Sequence, residues 1–238
     1  MRGEPFAARR HLERLRRSAG GLRLAVPLDD RALRLAMAAV IEANGVESGR
    51  LRLTVTGGVS PLGSDRGTAG STVVVATGDA PAWEPSTAVV TVPWTRNERS
   101  AVAGIKTTSY AENVVALDHA HQRGATEAIF ANTMGVLCEG TGTNVFLVVA
   151  GRLSTPPLAT GCLAGITREL VAELVEVDEI TLPLDALADA DEAFLTSSTR
   201  DVQPIASVDG RLLPAAPGPL TTAAAAAFAA LLARDLDP

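Results

Sequence analysis

The sequence predicts an α/β chain of two domains, the first of α+β character. Three observations carry this. Two helix-patterned stretches near the N-terminus precede strand-like runs, the order of an α+β unit. A second group of strand-like runs follows beyond residue 126, interleaved with helices. Between the groups lies 78–86, GDAPAWEPS, whose Pro and Gly content marks a junction. The expected division is 1–80 for the N-terminal domain, 81–87 for a linker and 88–238 for the C-terminal domain.

Residues 5–18 read as a helix. Pro5 suits its first turn, Leu12 and Leu15 share a face, and Gly20-Gly21 stops it. Residues 29–43 form a second helix, capped by Asp29 or Asp30, with Leu33, Leu35, Ala39 and Val40 inward and Asn44-Gly45 as its exit. Strand-like runs occupy 51–56, 71–77 and 88–92. Residues 110–123 read as a helix ending at Gly124. Strands follow at 127–131, 134–138 and 144–149, with turns at 132–135 and at Ala150-Gly151. A helix at 165–175, strands at 193–196 and 203–208, a turn at Asp209-Gly210 and a helix at 220–233 complete the chain.

Of 238 residues, 47% are hydrophobic, enough for a substantial core, but only 3% are aromatic, so Ala, Val and Leu must fill it. The net charge is -6, and the basic residues near the N-terminus sit in an amphipathic stretch with Glu13; nucleic-acid binding is not expected. Cys138 and Cys162 make no zinc or CxxC pattern, so we expect buried free thiols in a reducing compartment and no metal. The N-terminus has no apolar signal-peptide core, and the Ala-rich stretch 223–232 is too short to span a bilayer; a cytoplasmic protein without membrane contact is expected.

Among 21 Lys and Arg residues, Lys106 is the one lysine, and Tyr110 is the one tyrosine. A coding bias can exchange Lys for Arg at solvated positions. It cannot do so where an amine must deprotonate and form a Schiff base, because a guanidinium stays protonated. Lys106 is therefore a candidate for covalent catalysis, against the alternative of a surface lysine that survived by chance.

Three downstream stretches carry further chemistry. Glu139 precedes a run of small hydroxyl residues and Asn144, just before a strong strand. Gly165, Ile166 and Thr167 open a helix, whose N-terminal N–H groups can hold a phosphate. Thr196-Ser197-Ser198-Thr199-Arg200 offers hydroxyls and a cation after a strand. Singly, these also read as a turn acid, an ordinary N-cap and turn-satisfying hydroxyls. Together they suit a pyridoxal phosphate site: a lysine for the aldehyde, an acid for the pyridine nitrogen, and amides with hydroxyls for the phosphate.

With these residues, the chain resembles the class IV aminotransferase family. The matching segments are His11-Leu12-Glu13-Arg14-Leu15, the run 104–110, the run 139–146, Thr155-Pro156-Pro157-Leu158, the run 165–168 and the run 194–202. The resemblance implies two α/β domains with pyridoxal 5'-phosphate between them, in a homodimer that acts on a small-molecule amine. It implies that Lys106 binds the cofactor covalently and that Glu139 pairs with its ring nitrogen. It places Arg14, Ile166 and Thr167 on the phosphate, Ser198 or Thr199 on a further phosphate or carboxylate contact, and Tyr110 near the phenolic oxygen, although its spacing differs from that of branched-chain enzymes. Asn144 and Gly165 belong to the same cofactor-binding set.

The Lys106 to Glu139 interval and the run 194–202 resemble the 4-amino-4-deoxychorismate lyase pattern rather than the branched-chain one. The expected reaction is release of 4-aminobenzoate and pyruvate. An aminotransferase of branched-chain or D-amino acids is the alternative. Ahead of Gly3-Glu4-Pro5-Phe6, the one or two strands and the Gly-Asp-Gly-x-Phe-Glu-like segment of family members do not occur. This implies a start assigned too late or, as a third possibility, a non-catalytic cofactor-binding remnant. It also leads us to expect an unpaired sheet edge and a chain that aggregates or melts low.

Overall fold

A computed structural model describes residues 3–238. It contains two units: the described residues up to Pro81 together with Leu232–Pro238, and Ala82–Leu231.

The first unit is built on two amphipathic helices and one hairpin. α1 (Ala8–Gly21) buries Leu12, and α2 (Asp30–Asn44) buries Leu33 and Met37, one turn apart. Asp29 caps α2 by accepting from the Ala32 N–H at 2.7 Å, and Gly45 ends it in the left-handed region at φ 60°. β1 (Arg50–Thr56) and β2 (Thr72–Gly78) pair antiparallel. Their alternate residues Leu51, Leu53, Val73 and Val75 pack onto Leu12, Leu33 and Met37.

Several expectations for this unit need correction. α1 begins at Ala8 and runs through Gly20-Gly21, because glycine costs a helix only about 1 kcal/mol relative to alanine. Leu35 is 62% exposed and Ala39 is also exposed; the buried stripe follows Leu33 and Met37 instead.

The second unit is a nine-stranded mixed sheet. Its strands are β3 (Thr87–Arg96), β4 (Glu127–Asn132), β5 (Leu137–Gly140), β6 (Asn144–Val149), β7 (Arg152–Thr155), β8 (Asp178–Glu179), β9 (Glu192–Ser197), β10 (Asp201–Val208) and β11 (Arg211–Leu212). The order is β5-β4-β3-β10-β9-β6-β7-β8, with β11 on β10. β3 runs parallel to β4 and β10, and β4 is antiparallel to β5. All six residues of β4 are buried, so the strand is covered on both faces. One face carries Val89, Ile129, Leu137, Val145, Leu195 and Ile205. The other carries Val90, Val92, Ala128 and Phe130 under α3 (Ala111–His121), which contributes Ala116 and Ala120. Small residues let that helix approach closely where aromatics are scarce.

β5 starts three residues later than expected. Residues 134–136 turn around Asn132, whose Oδ1 accepts from the Met134 and Val136 N–H groups at 3.0 and 3.2 Å. β7, not anticipated, completes a hairpin with β6. α4 (Ile166–Leu174) and α5 (Pro219–Arg234) follow. The last seven residues pack with the first unit rather than with the second, contrary to a C-terminal domain running to 238. They do so because Arg9, Arg10 and Arg34 bind Asp237 and the Pro238 carbonyl. Among the described residues no helix is long and apolar enough to cross a membrane.

Candidate active site

Lys106 sits on the segment between β3 and α3 and is exposed. That segment is braced by Glu98, whose carboxylate accepts from the Thr133 hydroxyl at 2.7 Å and from its N–H at 3.2 Å. The Thr133 hydroxyl is the main cause holding the Glu98 carboxyl below its ordinary pKa. Gly161, at φ 93°, lies under this brace; a Cβ there would stand 2.9 Å from Glu98 Cα. Lys106 Nζ contacts the Tyr110 hydroxyl and lies 5.0 Å from the Tyr110 ring centroid. Tyr110 is the N-cap of α3, so the lysine and the helix start are held together.

Glu139 projects from β5. Its Oε2 accepts from the Leu163 N–H at 2.8 Å, and its Oε1 lies 3.3 Å from Arg96 Nε. Burial pushes its pKa up. The Leu163 N–H, Arg96 and Lys106 pull it back, in that order, while Glu127 adds to the rise. The Leu163 peptide is gripped at both ends, because Asn144 Nδ2 donates to its carbonyl at 2.8 Å.

This grip delivers the next loop to the site. Gly165 is the N-cap of α4 and supplies no side-chain cap. A Cβ at Gly165 would lie 2.0 Å from Asn144 Oδ1, so glycine is required for the approach although its φ of -72° is ordinary. Ile166 and Thr167, both buried, form the first turn, where backbone N–H groups have no intrahelical acceptor. Thr196 Oγ1, on the strand paired with Asn144, is buried and has no hydrogen-bond partner among the described residues.

The other candidates lie on other elements. Ser198 and Thr199 are exposed at the β9–β10 turn, which Ser197 Oγ closes by accepting from the Thr199 and Arg200 N–H groups at 3.4 and 3.1 Å. Arg200, the cation of that run, turns inward: it stacks 3.6 Å over Trp83 and donates to the Thr126 carbonyl at 2.8 Å. Arg14 belongs to α1 of the first unit, with Nη2 3.4 Å from His11 Nδ1. Cys138 and Cys162 are free and buried, and burial is the first cause raising both thiol pKa values.

Sequence reasoning missed two residues. Glu127 is buried at the start of β4. Its Oε1 accepts from the Ala128 N–H at 3.0 Å, the Thr141 N–H at 2.9 Å and the Thr141 hydroxyl; its Oε2 accepts from the Thr143 hydroxyl at 3.0 Å. It therefore fixes the turn between Glu139 and Asn144. An acid opening the apolar run 128–131 is the signal that could have found it. Arg96 reaches Glu139 only through the β3-β4-β5 order, which leaves no local signal.

The model of the amino-transferase class IV family matches residues 1–208. The D-alanine aminotransferase of Bacillus licheniformis is 32% identical over 225 residues, covering 91% of this chain and 79% of that protein. A Legionella pneumophila protein provisionally named 4-amino-4-deoxychorismate lyase has a structure similar at TM-score 0.89 and 25% identity, covering 98% of this chain and 87% of its own. The branched-chain amino acid aminotransferase of Thermobaculum terrenum, solved in its PLP-form, is similar at TM-score 0.88 and 28% identity, covering 97% of this chain and 80% of its own.

Proposed function

This chain belongs to the class IV amino-transferase family, and from that premise we propose that it is a pyridoxal phosphate-dependent lyase that splits aminodeoxychorismate into 4-aminobenzoate and pyruvate. The observation that carries the chemistry is the linked set Glu139–Leu163–Asn144, which joins the acid to the loop opening α4, with the Lys106 charge among those acting on that acid. The choice of lyase rests on the run 194–202 and on the short interval from Lys106 to Glu139.

The donor set fits the cofactor. An exposed amine, a partly buried carboxylate and a helix start brought against Asn144 by a glycine match an aldehyde, a pyridine nitrogen and a phosphate. Lys106 would hold the aldehyde carbon and Glu139 the ring nitrogen. The Ile166 and Thr167 N–H groups, with the Thr167 hydroxyl, would hold the phosphate. When bound, pyridoxal phosphate would supply an aldehyde for the substrate amine and an electron sink for the neighbouring carbon.

Lys106 Nζ, once released, removes the proton of that carbon, and the Tyr110 hydroxyl at Nζ orients the amine. Glu139 keeps a proton on the ring nitrogen, for which its carboxylate form is needed. For the lyase, the ring C–O bond of the enolpyruvyl side chain breaks with its electron pair going to oxygen, the departing enol takes up the proton that Lys106 Nζ removed and leaves as pyruvate, and the ring becomes aromatic. Atoms and electrons balance without a second substrate.

The second reading is an aminotransferase of D- or branched-chain amino acids, in which Lys106 returns the proton to a different carbon; the likeness to D-alanine aminotransferase favours it. One experiment separates the two. Aminodeoxychorismate with pyridoxal phosphate and no oxo acid should yield 4-aminobenzoate, read by its fluorescence. Amino transfer to 2-oxoglutarate with no 4-aminobenzoate formed would make the protein an aminotransferase. The resemblance further implies a cytoplasmic homodimer, and light scattering tests the dimer.

A further inference from the structure

Arg96 ends β3 and meets three other elements. Its Nε lies 3.3 Å from Glu139 Oε1 on β5. Its Nη2 donates to Asn113 Oδ1 on α3 and to the Gly140 carbonyl at 3.4 Å. Its Nη1 lies 3.5 Å from Glu112 Oε2, in the first turn of α3, and its guanidinium carbon stands 4.1 Å from the centroid of Phe130 on β4. The side chain is 16% exposed.

We propose that Arg96 is a positioning residue of the reaction: it supports Glu139 as a carboxylate and fixes the start of α3, which follows the lysine loop, to the strand that carries the acid. The inference rests on the pyridoxal phosphate reading for what Glu139 does, but not for the pairing itself.

Two features support it. Nε makes no hydrogen bond to any described residue, so the contact with Glu139 is one of charge and leaves Oε1 free to accept from a ring nitrogen. The second feature is permanence. Burial drives Glu139 towards its neutral form, and Glu127 on β4 adds to that drive. Lys106 opposes it, but a lysine that must shed its proton to act cannot be a constant counter-charge. A guanidinium stays charged throughout the working range. The thiols of Cys138 and Cys162 also act electrostatically with Glu139, and Glu112 lies beyond Arg96; none of these three supplies a positive charge.

The test uses Arg96→Met, Arg96→Lys, Glu139→Gln and the double variant Arg96→Met/Glu139→Gln. The first readout needs no cofactor: melting temperature against pH. Glu139 titrates above its unfolded value, so its contribution to stability is present below the unfolded pKa of about 4.3 and is lost as pH rises through the folded pKa. Arg96→Met should enlarge this loss as pH rises above the unfolded value, Arg96→Lys should restore part of it, and in the Glu139→Gln background the excess should vanish. The second readout is turnover with pyridoxal phosphate. Arg96→Met should lower kcat about 10- to 100-fold with little change in KM, and the same change should cost less than about threefold in Glu139→Gln. Equal losses in both backgrounds, with a melting profile that tracks the parent, would overturn the proposal. If Arg96→Met fails to fold, Arg96→Lys against the parent decides by both readouts. If pyridoxal phosphate does not bind at all, the reading of Glu139 falls and takes Arg96's part in the reaction with it, while the melting arm still decides whether the pair exists.

Discussion

Lys106 and Glu139 stand out in the sequence as candidates because the chemistry proposed for them restricts residue type. No other side chain supplies an amine that forms a carbon–nitrogen double bond, and a permanent acid is needed opposite a ring nitrogen. The single lysine makes the first prediction unusually clean. Borohydride reduction with pyridoxal phosphate should add one cofactor mass to the peptide carrying Lys106, and Lys106→Ala should lose it. Labelling of the α-amino group alone would refute the assignment. Glu139→Gln should still bind cofactor, since the loop at Gly165 remains, yet lose at least ~100-fold in turnover, because a neutral amide does not hold the ring proton. Unchanged turnover would remove Glu139 from the role. Arg96 and Glu127 escaped because each acts on a residue that sheet pairing, not sequence proximity, brings near. Arg200 misled for a related reason. Its run looks like a ligand loop, but the guanidinium is occupied by Trp83 and Thr126.

Elements were legible where the apolar pattern is unambiguous. The strands β1 and β2 and the fully buried β4 follow directly from alternation and apolar run length, whereas the pairing of β1 with β2 does not. α2 was misread in its facing because its many small apolar residues leave the stripe ambiguous, and contact with α1 selects Met37 over Leu35. The site itself is made by how elements end. Glu127 clamps the turn 141–143, and Asn144 holds the loop that opens α4. Gly165→Ala should therefore destabilise by ~1–3 kcal/mol through the clash with Asn144 Oδ1, the range for overpacking, since its backbone angles suit alanine. Pyridoxal phosphate affinity, read from visible absorbance, should fall with it. An unchanged melting temperature and affinity would mean that Asn144 swings aside without cost and is not the brace assigned to it.

At the scale of the whole chain, the least legible feature is its return. α5 begins in the second unit, and its last residues, from Leu232, join the first together with the tail that follows. No periodicity forecasts this, because the contacts are polar and remote in sequence. α1 has no cap of its own: Ala7, its N-cap, is in the left-handed region at φ 50° and makes no side-chain cap bond. The tail supplies what is lacking. The Leu236 carbonyl accepts from the Ala7 N–H at 2.7 Å, and Asp237 Oδ1 accepts from the Arg9 N–H at 2.7 Å. Asp237 thus caps α1 from 228 residues away, its charge complementing the helix dipole. It also pairs with Arg34 at 2.8 Å, a contact whose partners are 42% and 36% exposed and which contributes little by itself. The two roles separate by substitution. Asp237→Ala loses cap and pair and should cost the first unit ~1 kcal/mol, seen as faster amide exchange at Arg9 and earlier melting. Asp237→Asn keeps an acceptor for the Arg9 N–H and loses only the charge, so its smaller deficit should fade as added salt screens the pair. If Arg9 exchange is the same in Asp237→Ala as in the parent, the tail does not cap α1, and its position beside the first unit has some other cause.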